Sequence, residues 1–265
     1  MPIPMKRIFN VIADKPDDRD RLVRAPSRTI LSAIPDVIDR SNFFGPVYDQ
    51  GDEGSCTGNG WAAALDAQRS AQGLPLITPS RQFIYGQERI IEGDFTEDGG
   101  AQVRTGAKVL AHLGAPPESM FPYTPIDFTA TPGAPVFAEA LKHKIAMYER
   151  VPATPDGVCA ELAKGFAVVM GFTVFASFES NAVAKGGILA MPKKGEKVLG
   201  GHCTVFVGHH ITKRNATTMS LLEGQLKVRN SWGADWGNGG YFTMPFGYLT
   251  KGFVSDCWAI RAMMG

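Results

Sequence analysis

Four cysteines occur in the 265 residues, and the placement of one suits it to react. Cys56 ends the segment Gln50-Gly51-Asp52-Glu53-Gly54-Ser55-Cys56, a glycine-rich turn that delivers it to the start of an expected helix. Unpaired backbone N–H groups and the positive end of a helix dipole favour a thiolate there. A nucleophile of this kind needs a base beside it and a third group to orient that base. The chain supplies both downstream. Gly200-Gly201-His202-Cys203 puts an imidazole at a strand start behind two glycines. Asn230-Ser231-Trp232-Gly233 offers an amide to hold the ring and an indole to shield that bond from water. Singly, each has an ordinary reading: a free cysteine is usually a small buried hydrophobe, and an asparagine usually a turn residue. Cys159 and Cys257 keep that ordinary reading. Together, Cys56, His202 and Asn230 point to nucleophilic catalysis.

Positioning these groups takes helices early and strands late. Trp61, Ala62, Ala64, Leu65, Gln68 and Arg69 recur at helical spacing with no Gly or Pro before Gly73, so a helix from Ser55–Cys56 to about Gln72 is expected. Thr78-Pro79-Ser80 marks a second helix start, and Gly106 to Leu113 forms a third, stopped by Gly114 and Pro116-Pro117. From about residue 130 the pattern turns to strands. Ala167–Phe175 is rich in Val and Phe, and His202–His210 alternates, with Cys203, Val205 and Val207 on one face. Leu226–Arg229 and Tyr241–Met244 are further short strands. A helical first half and a β-rich second half argue for an α+β protein of two lobes. The expected division is an N-terminal arm over 1–32, a helical lobe over 33–127 carrying the nucleophile, and a β-rich lobe over 128–265 carrying His202 and Asn230.

Composition excludes several functions. Twenty-seven Lys+Arg against 26 Asp+Glu leave a formal charge of +1, without the basic excess of a nucleic-acid binder. Gly 30 and Pro 18 mark a turn-rich chain. The longest apolar stretch, Phe166–Phe178, falls short of the roughly 20 residues of a membrane span. Scattered cysteines make neither a disulfide framework nor a zinc site, and His112, His143, His209 and His210 lack metal-ligand spacing. No metal and no cofactor is therefore expected, and a cytoplasmic monomer is the default. The charged cluster Asp17–Arg21 reads as a solvated stretch of the arm.

At this point the chain resembles the papain family of cysteine peptidases, in a form without a long proregion. The matching blocks are Pro46-Val47-Tyr48-Asp49-Gln50-Gly51 to Gly54-Ser55-Cys56, then Gly201-His202, then Asn230-Ser231-Trp232-Gly233 through Trp236-Gly237 to Gly239-Gly240-Tyr241. The resemblance spans roughly residues 33–265. It implies a papain-like two-lobe fold, with a helical N-terminal lobe, a β-barrel-like C-terminal lobe and the active site in the cleft between. Cys56 would be the nucleophile, paired as thiolate with an imidazolium on His202, which then protonates the leaving amine. Asn230 would orient His202, and Trp232 would cover their contact. Gln50 would complete an oxyanion hole with the Cys56 backbone N–H. Gly99 and Gly100 would pair with an extended substrate backbone, beside a pocket wall at Gly201.

The sequence departs from the family pattern in places. Glu53 replaces the usual cysteine three residues before the nucleophile, so the disulfide of that lobe cannot form. Thr57 replaces an aromatic, and Gly201 stands where many members carry Asp or Asn. An enlarged hairpin over Ile211–Gln225 accounts for the long His202–Asn230 spacing, and Cys203 is expected to point away from the cleft. The arm is expected to pack on the body without acting as a removable inhibitor, with partial occlusion of the cleft as the alternative. The implied activity is hydrolysis of peptide bonds in a peptide or protein through a Cys56 acyl-enzyme. The same triad could serve an amidase, isopeptidase or transpeptidase, or belong to a catalytically silent peptide-binding member.

Overall fold

The computed structural model describes residues 7–264. After the arm, which contains the short helix α1 (Arg28–Ala33), come strand β1 (Val37–Asp39) and the long helix α2 (Cys56–Ala71). α2 is rich in alanine and ends where Gly73 turns to φ +72°, a conformation that glycine adopts without strain. α3 (Arg81–Glu92) starts on the Ser80 side chain, which accepts from the Phe83 N–H, and stops at Gly93. α4 (Val103–His112) is tied to α2 by the Trp61 indole, which donates to the Val103 carbonyl at 2.7 Å.

The second half interleaves helices with strands more than the sequence pattern suggests. It runs α5 (Ala134–Ala140), β2 (Ile145–Arg150), α6 (Pro155–Lys164), β3 (Val168–Phe175), α7 (Asn181–Gly186), β4 (Val198–Arg214), β5 (Leu221–Arg229), β6 (Tyr241–Pro245), α8 (Gly247–Thr250) and β7 (Val254–Met263). The strands form one antiparallel sheet of seven, in the order β2-β7-β3-β4-β5-β6, with β1 paired to β4. That path is open: among the described residues no pairing joins β2 to β6. Most of the expected hairpin enlargement is strand itself, because β4 and β5 pair as far as Arg214 and Leu221 and leave a turn of residues 215–220.

The alternation expected along β4 decides the packing. Cys203, Val205 and Val207 join Val169, Trp258 and Ile260 against Trp61, Leu65 and Val109 of the helical layer. Phe206 faces the opposite way, into a second core with Phe172, Val174, Phe242 and Leu162 of α6. One sheet is thus buried on both faces, each face holding one cluster from water. α2 therefore lies directly against the strand that carries His202.

The arm is not the solvated strand its charges suggest. The Val23 N–H donates to the Arg150 carbonyl at 2.9 Å, and Asp20 pairs with Arg104 at 2.9 Å and with Arg150 at 3.4 Å. Asp14 is buried, accepting from the Arg104 N–H at 3.0 Å and the Trp258 indole at 2.7 Å. Of the run that reads as water-facing, Asp20 is a partner for arginines of the body, while Asp18, Arg19 and Arg21 stay exposed.

Candidate active site

Cys56 is the first residue of α2, and the Ser55 side chain at the cap accepts no first-turn backbone N–H, so those groups stay available beside the sulfur. The Cys203 backbone amide lies by that sulfur and favours its charged form. Cys203 directly follows His202 on β4 and turns its own side chain onto α2 at Gly60. His202 Nε2 lies 2.8 Å from Asn230 Oδ1, which can only accept, so Nε2 carries the proton and Nδ1 is the free nitrogen. Nδ1 is buried without a partner. Trp232 stacks on the imidazole at 5.0 Å, and Phe172 and Phe178 close around it at 5.8 and 6.3 Å.

Gln50 sits on the turn ahead of α2, fixed at both ends of its amide. Its Oε1 accepts from Ser231 Oγ at 2.6 Å, and its Nε2 donates to the Glu53 carbonyl at 2.9 Å, leaving the second Nε2 hydrogen free. Cys56, His202, Asn230, Gln50 and Trp232 are thus brought together where α2 meets β4 and the segment after β5. Gly100 and Gly201 lie close by on opposite walls. Gly99 is adjacent, but the side chain that a residue there would carry points to the Asp94 carboxylate.

The groove between these walls is filled by the chain's own arm. The Val11 N–H donates to the Gly201 carbonyl at 3.1 Å, and the Gly201 N–H donates to the Phe9 carbonyl at 3.3 Å. On the other wall, the Ile12 N–H donates to Ala101 at 3.1 Å, and Asn10 Nδ2 to the Asp98 carbonyl at 2.9 Å. Phe9 reaches the rings of His202 and Trp232 at 6.2 and 5.9 Å, and the Arg7 guanidinium lies 5.0 Å over Trp232. The arm both packs on the body and follows the alternative reading, occlusion of the cleft: residues 9–12 run through it as an added strand.

Burial within the covered cleft works against the expected ionisation. Cys56 is 1% exposed and His202 0%. Burial pushes the thiol from its ordinary 9.0 up to about 12, against the lowering pull of the Cys203 N–H. It pushes the imidazole from 6.5 down to about 4, although the bond to Asn230 opposes this. In the covered state burial thus disfavours both charged forms, the thiolate and the imidazolium that the sequence reading pairs.

Several contributors went unread in the sequence: Phe9 to Ile12, Ser231 behind Gln50, the Phe172–Phe178 enclosure, and the Asp98 carboxylate, which accepts from the Gly54 N–H at 3.0 and 2.9 Å. The one local signal was Phe9 and Val11 alternating in an otherwise charged arm.

Fold and site together define a thiol hydrolase of the papain type. The model of the papain family of cysteine proteases matches residues 34–257, and the chain belongs to that family. It is a cysteine peptidase, acting on peptide or protein substrates. It is similar to xylellain, a cysteine protease from Xylella fastidiosa, at 34% identity over 96% of each chain with a TM-score of 0.86. An uncharacterized peptidase C1-like protein of Acanthamoeba polyphaga mimivirus is 35% identical over 97% of this chain and 88% of its own. In fold alone it also matches a procathepsin B from Trypanosoma congolense, with a TM-score of 0.74 at 15% identity over 96% of this chain and 86% of the other. No helix among the described residues is long and apolar enough to cross a membrane.

Proposed function

We propose that Cys56 cleaves peptide bonds as the nucleophile of a Cys56–His202–Asn230 triad, and that the described conformation is its latent state. One observation carries this reading. Asn230 takes the Nε2 hydrogen of His202, which leaves Nδ1 free, while the backbone amide of the next residue, Cys203, lies by the Cys56 sulfur. His202 Nδ1 takes the thiol proton, and the sulfur attacks the scissile carbonyl carbon. The oxygen that becomes negative is met by the free Gln50 Nε2 hydrogen and the Cys56 N–H. His202 then gives its proton to the departing amine, leaving a thioester that water hydrolyses with His202 as base. Trp232 keeps water from the His202–Asn230 bond.

That the groove binds backbone is supported by the arm, whose extended residues 9–12 use the Gly201 and Ala101 carbonyls. A substrate strand needs the same acceptors, so the arm must leave first. The four free thiols, with Glu53 in place of a half-cystine, support a reducing setting such as the cytoplasm.

The test is labelling with an epoxysuccinyl probe, alongside peptide hydrolysis, of the full-length chain carrying Val11→Asp, which puts a charge in the docked arm to free the groove. Labelling confined to Cys56, lost in Cys56→Ala and slowed in His202→Ala, is expected to track hydrolysis. Equal, slow labelling of all four cysteines would refute the triad.

A further inference from the structure

We propose that Glu53 is a positioning residue for the oxyanion donor, a buried carboxylic acid that must stay neutral for the Gln50–Ser55 turn to hold Gln50 in place. The proposal rests on the reading of Gln50 as that donor. Glu53 stands three residues before the nucleophile and is 2% exposed. Its backbone carbonyl is the acceptor that fixes Gln50 Nε2 at 2.9 Å. Tyr123 secures the other end of the turn, donating to the Gln50 carbonyl at 2.8 Å.

The surroundings of the Glu53 carboxyl disfavour a negative charge on it. Its Oε2 has no partner, and its Oε1 lies 3.5 Å from Gln82 Nε2, at the outer limit of a hydrogen bond. The charged groups facing it are Asp98, Arg89 and Arg81, with the Tyr123 hydroxyl beside them. Asp98 already places a carboxylate against the turn, bonded to the Gly54 N–H and to the Tyr85 hydroxyl at 2.5 Å. Both arginines are largely taken up by other acceptors, with only the Arg89 Nε left unpaired. Arg89 donates to the carbonyls of Phe95, Glu97 and Phe128. Arg81 donates to Glu118, the Asp49 carbonyl and Asn59 Oδ1. Burial first, and Asp98 second, raise the Glu53 carboxyl to about 8.

Above that pH the proton leaves and an unpaired charge sits under the turn. It gains water only by opening the turn, which draws the Glu53 carbonyl off Gln50 Nε2. Loss of the oxyanion donor lowers kcat while leaving substrate binding largely intact. Glu53 would then set the alkaline limit of the enzyme.

The experiment compares Glu53→Gln and Glu53→Met, two uncharged side chains of similar length, with Gln50→Ala. All are made in the full-length chain carrying Val11→Asp to free the groove, and kcat and KM are followed from pH 5 to 10. Thermal midpoints over the same range show that each variant is folded. The expected result is that at least one of the two Glu53 variants keeps kcat within about threefold near pH 6.5. Its alkaline limb moves up by about one pH unit or more while KM stays unchanged. A limb that stays at the parent position in folded Glu53 variants overturns the proposal. If Gln50→Ala leaves kcat unchanged at every pH, the oxyanion assignment has failed, and the positioning role fails with it.

Discussion

Val11→Asp tests whether the arm is what silences the thiol. The Val11 side chain fills a slot walled by Val103, Gly171 and Ser255, whose atoms meet it about the Gly171 position. An ionised carboxylate there would face Val103 and only one hydroxyl, Ser255, and costs on the order of a few kcal/mol to hold in this partly buried slot, so the arm should leave while the two cores stay folded. Water then reaches Cys56 and His202, and the burial that raises the thiol from 9.0 to about 12 is relieved. With the thiol at about 12, the thiolate fraction at pH 7 is about 10⁻⁵. Return to the ordinary value alone raises it about 10³-fold, before any pairing with His202 adds to it. The assay is the iodoacetamide rate constant at pH 7, read by mass spectrometry of the Cys56 peptide in both chains. The parent reacts only through its briefly open fraction. A Cys56 rate in Val11→Asp within a few-fold of the parent, with hydrogen exchange showing residues 9–12 released, would refute the argument that arm burial controls ionisation. A rate raised equally at Cys159 and Cys257 would mean general unfolding instead.

Asn230→Ala removes the acceptor 2.8 Å from His202 Nε2 and leaves a buried N–H unpaired. A loss of about 10- to 100-fold in kcat is expected, with a smaller change in KM, measured by steady-state peptide hydrolysis. Asp14 provides a pH test of arm docking. Its carboxyl is raised from 3.8 to about 6, by burial first, against the Arg104 N–H and with help from Asp256. An acid whose docked pKa lies above its free value holds its proton better when docked. Docking is therefore tightest below about pH 4 and weakens up to about pH 6. Protection of the residue 9–12 amides from hydrogen exchange should fall over that window by at most about 100-fold, and Asp14→Asn should flatten the change.

What could be read from the sequence depended on whether the signal was local. α2, α3 and α4 were legible because their apolar spacing ends at residues that stop helices, Gly73, Gly93 and Gly114. The assembly of Cys56, His202 and Asn230 was legible because each sits in a motif of glycines and tryptophans whose spacing few other needs impose. α6 went unread although Thr154 caps it, Pro155 begins it and Gly165 ends it, since its surroundings alternate like strands. β7 was hidden by Ser255, Asp256 and Arg261 among its apolar residues. The ionisation of Cys56 was illegible in principle. Helix position predicts a thiolate, but burial by residues more than forty positions away decides the outcome, and an extended segment of four residues leaves no periodic trace.

The arm also gives a physical reason for a departure from the family pattern. Where many members carry Asp or Asn beside the catalytic histidine, this chain has Gly201, and a Cβ there would meet the Val11 carbonyl oxygen at 3.0 Å. A Cβ at Gly200 would collide with the Phe9 carbonyl, and one at Gly100 with that of Asn10. Gly200 and Gly100 also hold φ of +148° and +81°, angles that side-chain-bearing residues rarely adopt. These close approaches fall on both walls of the groove, along the line of residues 9–11. A groove that holds its own arm has little room for a side chain at that point. On this argument Gly201→Ala would loosen the docked arm, because its Cβ would press on the Val11 carbonyl oxygen.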